Sequence, residues 1–91
     1  MLEIARQTKF KKDFKLIKKQ GKNLSLLKDV LELLVQGEVL PLKYKDHVLI
    51  GNYANTRECH IQPDWLLVYR IDEEQQVLHL IRTGSHSELF D

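Results

Sequence analysis

Two amphipathic helical stripes followed by three β-favouring segments, in a chain of 91 residues, predict one α+β domain. The expected order is an N-terminal strand, a two-helix hairpin, an antiparallel three-stranded meander and a short C-terminal helical turn. The whole chain, residues 1–91, is read as a single domain, because the length falls below what two domains need. Sixteen Leu, six Ile and six Val supply apolar side chains for one core, which excludes a disordered chain.

Leu2-Glu3-Ile4-Ala5 alternates apolar and polar residues and predicts the first strand. Thr8 is placed to cap the first helix, in which Phe10, Phe14 and Ile17 recur on one stripe and lysines take the remaining faces. Gly21 stops it. Asn23 caps a second helix whose stripe is Leu24, Leu27, Leu31 and Leu34, widened by Val30 and Leu33, and Gly37 ends it. Residues 37–55, with Pro41 and Gly51, show weak periodicity and are expected to be irregular; such long connections are often functional. Residues 57–61 alternate, residues 65–71 are nearly continuous in apolar residues as a central strand requires, and residues 77–83 follow the same habit. Residues 72–76 form the polar turn of the last hairpin, and Ser85 or Ser87 opens the terminal helical turn ending at Leu89 and Phe90.

The net charge of +1 conceals an asymmetry. Residues 1–23 carry eight basic groups against Glu3 and Asp13, whereas residues 24–91 carry six basic and eleven acidic groups. A basic block on a mildly acidic domain is the footprint of a polyanion partner, although a solvated helix face is the plainer account of lysines alone. The single cysteine, Cys59, excludes an internal disulfide, and no CxxC or CxxH spacing suggests structural zinc. No apolar run approaches the roughly 20 residues that span a bilayer, and the N-terminus has no apolar signal-peptide core. A cytoplasmic protein with no membrane partner is expected.

The chemistry-bearing residues are few. His47, His60 and His86 stand in polar contexts near loops or strand ends, with Asp64 close to one and Arg82 close to another; His79 alternates with leucines and reads as structural or surface-facing. Imidazole and carboxylate suit zinc or iron, yet no HExxH or paired helical spacing is present. The same set suits metal-free RNA cleavage, which needs a base for the ribose 2′-OH, an acid for the departing 5′-oxygen and a cation for the phosphoryl oxygens. Histidine fills either proton-transfer role near neutral pH, and the arginine fork matches phosphate. Trp65, Tyr69 or Phe90 offer rings on which an unpaired base stacks; core packing is the alternative for Trp65 and Tyr69, and the plainer account for Tyr69.

Three segments carry a resemblance: Tyr44-Lys45-Asp46-His47, residues 57–69 with His60, Asp64 and Trp65, and residues 82–90 from Arg82 to Phe90. In order and spacing they resemble YafQ-type toxins, bacterial mRNA interferases of the RelE/ParE superfamily encoded in type II toxin–antitoxin modules. The resemblance runs the full length and implies a RelE-like fold. It implies that His47, His60, Asp64 and His86 form the acid–base set, that Arg82 binds phosphate, and that Trp65 and Phe90 lie near the substrate. It further implies a ribosome-dependent endoribonuclease that cuts mRNA during translation without metal or organic cofactor. Lys9, Lys11, Lys12, Lys15, Lys18 and Lys19 would then meet ribosomal RNA. A cognate antitoxin is the second implied partner, forming an oligomer with a toxin that is monomeric when free. Two rivals remain. A gyrase inhibitor of the ParE-like branch lacks such a histidine set, and a plain RNA-binding module explains the lysines but not His60, Asp64 and His86 together.

Overall fold

A computed structural model describes residues 1–51 and 55–90. Strand β1 (Glu3–Arg6) leads into helices α1 (Thr8–Lys19) and α2 (Leu24–Val35), and a 3-10 turn over Leu42–Tyr44 precedes strand β2 (His47–Val48). Strands β3 (Arg57–Gln62), β4 (Trp65–Asp72) and β5 (Val77–Gly84) follow, and a short helix α3 (His86–Phe90) ends the fold. The expected strand, helical hairpin, meander and C-terminal helical turn are all present. The sheet is wider than the meander alone: its order is β1-β5-β4-β3-β2, with β1 parallel to β5 and every other pair antiparallel.

The two glycines end their helices as the sequence implies. At Gly21 (φ +76) the Gly21 N–H donates to the Lys18 carbonyl and the Lys22 N–H to the Ile17 carbonyl, a paired closure that needs a left-handed residue. Asn23 caps α2, its side chain accepting from the Ser25 N–H at 3.1 Å. The expected cap at Thr8 is corrected. Gln7 holds the cap position in extended geometry with no side-chain bond, because its own N–H is committed to the Leu80 carbonyl of the adjoining strand. Sheet register, not a capping hydroxyl, sets where α1 begins.

The segment expected to be irregular is also more ordered. It contains the 3-10 turn and β2, which pairs His47 with Glu58 and Val48 with Arg57. A two-residue strand is too short to leave a period in the sequence. Residues 52–54 of that segment lie outside the described residues.

The faces of the sheet differ. Phe10 and Ile17 of α1 and Leu27, Val30 and Leu34 of α2 pack with Cys59, Ile61, Trp65, Leu67, Tyr69, Leu78 and Leu80. Leu66 and Val68, the alternate residues of β4, face the other way and pack with Leu89 of α3, Leu49 and Ile81. The central strand is thus buried on both faces, as its unbroken apolar run predicts. Among the described residues no helix is long and apolar enough to cross a membrane.

Candidate active site

Alternation places the site. Cys59 and Ile61 of β3 enter the helix-side core, so Glu58 and His60 take the opposite face. β2 brings His47 into register opposite Glu58, and α3 returns His86 over the same face. The His60 ring lies 6.4 Å from that of His47 and 5.9 Å from that of His86 (centroid distances), and Phe90 lies 6.1 Å beyond His86. Phe90 is 40% exposed, so part of its ring faces solvent beside the histidines. Three sequence-distant histidines and one aromatic therefore form a continuous row.

Their orientations are set by local bonds. A carbonyl oxygen only accepts, so His47 Nδ1 donates to the Lys45 carbonyl at 2.8 Å and His60 Nδ1 donates to the Pro63 carbonyl at 3.2 Å. The Nδ1–H of each ring is thereby committed, and Nε2 is the nitrogen left to meet other groups. Asp64, in the turn between β3 and β4, accepts the His86 backbone N–H at 3.2 Å and stands 3.6 Å from His86 Nδ1. Helix α3 opens at Ser85 with a reciprocal cap: the Ser85 N–H donates to Glu88 at 2.8 Å and the Glu88 N–H donates to Ser85 Oγ at 3.2 Å. The Ser85 N–H first, and then Gln20, hold the Glu88 carboxyl below its ordinary range. Gly84 (φ +153) holds a backbone conformation that side chains rarely adopt, and a Cβ there would displace Glu88 Oε1, 2.9 Å away. His86 is thereby delivered by a strand end, a glycine and a cap.

Two carboxylates escaped the sequence reading. Glu58, almost fully buried, places Oε1 3.7 Å from His60 Nε2 and 3.9 Å from His86 Nε2. The signal was its parity with His60 in an alternating strand. Asp46 accepts the Tyr69 hydroxyl at 2.6 Å and Arg57 Nη2 at 3.0 Å, tying the segment that carries His47 to β3 and β4. Burial, and then Asp46, push the Tyr69 hydroxyl well above its ordinary range. Burial likewise pushes the Cys59 thiol up to about 12, with Asp46 and Glu58 adding to it, so this thiol is no nucleophile near pH 7.

Two expected site residues are engaged with other partners. Trp65 is 1% exposed, and its Nε1–H donates to Thr83 Oγ1 at 2.9 Å, so the ring belongs to the helix-side core and offers no open face to a base. Arg82 lies on β5 four residues before His86, but its Nε and Nη2 donate to Asp13 of α1 at 2.6 and 3.0 Å. Lys9, Lys11, Lys12, Lys15, Lys18 and Lys19 are all exposed, as a polyanion-facing helix requires. Open clefts of about 270 and 460 Å³ flank the Gln62–Asp64 turn; Lys43 and Lys45 edge the first and Lys22 the second.

The fold that carries this row is shared with the toxins of toxin–antitoxin complexes. The family model described as "Bacterial toxin of type II toxin-antitoxin system, YafQ" matches residues 2–91, and the chain belongs to the YafQ toxin family. It is 39% identical over 82 residues to the mRNA interferase toxin YafQ of Escherichia coli K12, covering 89% of this chain and 87% of that protein. Among solved structures, a metal-bound toxin from Helicobacter pylori is 49% identical with a TM-score of 0.93, covering 99% of this chain and 100% of that one. The toxin of the E. coli DinJ–YafQ complex is 36% identical with a TM-score of 0.91, covering both chains fully (100%).

Proposed function

We propose that this chain, an endoribonuclease of the mRNA interferase class, cuts mRNA on the translating ribosome by metal-free acid–base transesterification, in the cytoplasm. The observation that carries this reading is the row of His47, His60 and His86, with successive rings 6.4 and 5.9 Å apart. Two imidazoles at that separation bracket one phosphate, one on the side of the attacking oxygen and one on the side of the leaving oxygen. The ribose 2′-oxygen attacks phosphorus and gives its proton to one imidazole. The bond from phosphorus to the 5′-oxygen breaks, and that oxygen takes a proton from the opposite imidazole, leaving a 2′,3′-cyclic phosphate and a 5′-hydroxyl.

His86 exchanges one proton at the scissile phosphate, and His60 with Asp64 assists the opposite transfer. His47 completes the set from β2, and Phe90 stacks a substrate base. Arg82 stabilises the charge growing on the phosphoryl oxygens by exchanging Asp13 for phosphate. A cognate antitoxin is the protein partner, as DinJ is for the E. coli toxin.

The test uses purified toxin treated exhaustively with a transition-metal chelator and then dialysed. Ribosomes carrying mRNA are supplied with magnesium alone. Cleavage at the wild-type rate, yielding 2′,3′-cyclic phosphate ends, is the expected result. Loss of cleavage that one transition metal restores overturns the metal-free mechanism, and cleavage of the same mRNA without ribosomes overturns the ribosome requirement.

The lysines of α1 make the ribosomal contact, which is electrostatic and independent of sequence. Changing Lys11, Lys12, Lys15 and Lys18 to Glu lowers ribosome affinity by more than about tenfold and flattens its salt dependence. The fold survives, because the four side chains are exposed. Unchanged sedimentation of a folded variant with ribosomes would show that the lysine face is merely solvated.

A further inference from the structure

Glu58 is 4% exposed on a face where the neighbouring inward positions of the sheet, Leu66, Val68 and Ile81, are apolar or packed among apolar side chains. A carboxylate there is costly unless partnered, and a packing role alone would be filled by another aliphatic residue. The side chains it meets are imidazoles. Its Oε1 lies 3.7 Å from His60 Nε2 and 3.9 Å from His86 Nε2, while His47 stands opposite it on β2. These separations are within ion-pair reach and slightly longer than a hydrogen bond, so either ring closes the gap by a small rotation when its Nε2 carries a proton.

We propose that Glu58 is the positioning residue of the acid–base row, holding the His60 and His86 rings at the spacing that admits one phosphate between them. This rests on the RNA-cleaving role proposed above. One carboxylate oxygen shared by two rings fixes their mutual distance, a service that Asp64, attached to His86 alone, does not give. Glu58 touches no substrate atom and acts only through the histidines.

The experiment compares Glu58→Gln, which keeps size and removes charge, with Glu58→Asp, which keeps charge and withdraws it by one methylene. Single-turnover cleavage by Glu58→Gln falls roughly 10–100-fold, the scale of a small misplacement of reacting groups, with KM for programmed ribosomes within about threefold. Glu58→Asp is intermediate. Added to His86→Gln, Glu58→Gln costs less than about threefold further, because with one of the two rings gone no spacing between them is left to hold. Nitrogen NMR of the imidazoles shows the His60 and His86 signals shifted in Glu58→Gln and the His79 signal unmoved. Wild-type cleavage by a folded Glu58→Gln, full additivity with His86→Gln, or a slower Glu58→Asp than Glu58→Gln each overturns the proposal. The ring spectra decide the positioning even if the wild-type protein cuts no RNA, an outcome that would overturn the RNA-cleaving role separately; unmoved His60 and His86 signals overturn the proposal in either case.

Discussion

His86→Gln is expected to lower the cleavage rate by about 10²–10⁴-fold while ribosome binding holds, because glutamine keeps the bulk but exchanges no proton near neutral pH. The fold should tolerate the change. The His86 ring is more than half exposed, and the anchoring bond to Asp64 uses the backbone N–H, which the substitution leaves in place. Asp64→Asn keeps an oxygen to accept that N–H and loses only charge, so its effect reports on the chemistry rather than on the start of α3. Both variants relieve toxicity in cells and still bind antitoxin. His79→Gln is the matched control: His79 lies on β5 beside Ala5 and Arg70, away from the row, and should cleave near the wild-type rate. If folded His86 and Asp64 variants remain as toxic as wild type, the chemistry is not theirs and a non-catalytic, gyrase-directed toxin becomes the better account.

What the sequence revealed, and what it hid, follows from the range of each signal. The helices were legible from a period of 3.6, and the last three strands from alternation in residues 57–61 and runs of apolar, β-favouring residues in 65–71 and 77–83. His60, Asp64 and His86 were legible because chemistry-bearing types are rare in this chain and stand beside turns. The strand carrying His47 was not legible, since two residues hold no period, and its place opposite Glu58 is a matter of register. Glu58 was hidden by attention to residue type in loops; its parity with His60 across Arg57–Gln62 put both on one face. The Thr8 cap failed because strand register governs the preceding residue, a non-local constraint that no capping preference reports. Trp65 shows the converse: within a motif that resembles a catalytic segment, its ring fills the core.

Arg82 and Asp13 illustrate the same limit across 69 residues of sequence, and they yield the second large effect. Arg82→Ala leaves the Asp13 carboxylate, 13% exposed, with the Thr83 N–H at 3.1 Å as its remaining hydrogen bond among the described residues. Removing one partner of such a largely buried pair costs about 3–5 kcal/mol, which in a domain this size lowers Tm by roughly 12–40 °C. Asp13→Asn in the same chain recovers much of that loss, because the amide carries no charge and still accepts from Thr83. The double variant therefore separates two accounts of Arg82. If the guanidinium serves the phosphoryl oxygens, cleavage stays at least about 10²-fold slow even where calorimetry shows the stability restored, since the cation that meets the growing charge is missing from the transition state. If activity returns together with stability, Arg82 is a strut between β5 and α1, and the charge on the phosphate must be met by another group. Asp13→Asn alone gives the third reading: removing the charge that faces Arg82 should weaken the fold modestly, while cleavage measured below its Tm holds near the wild-type rate or rises.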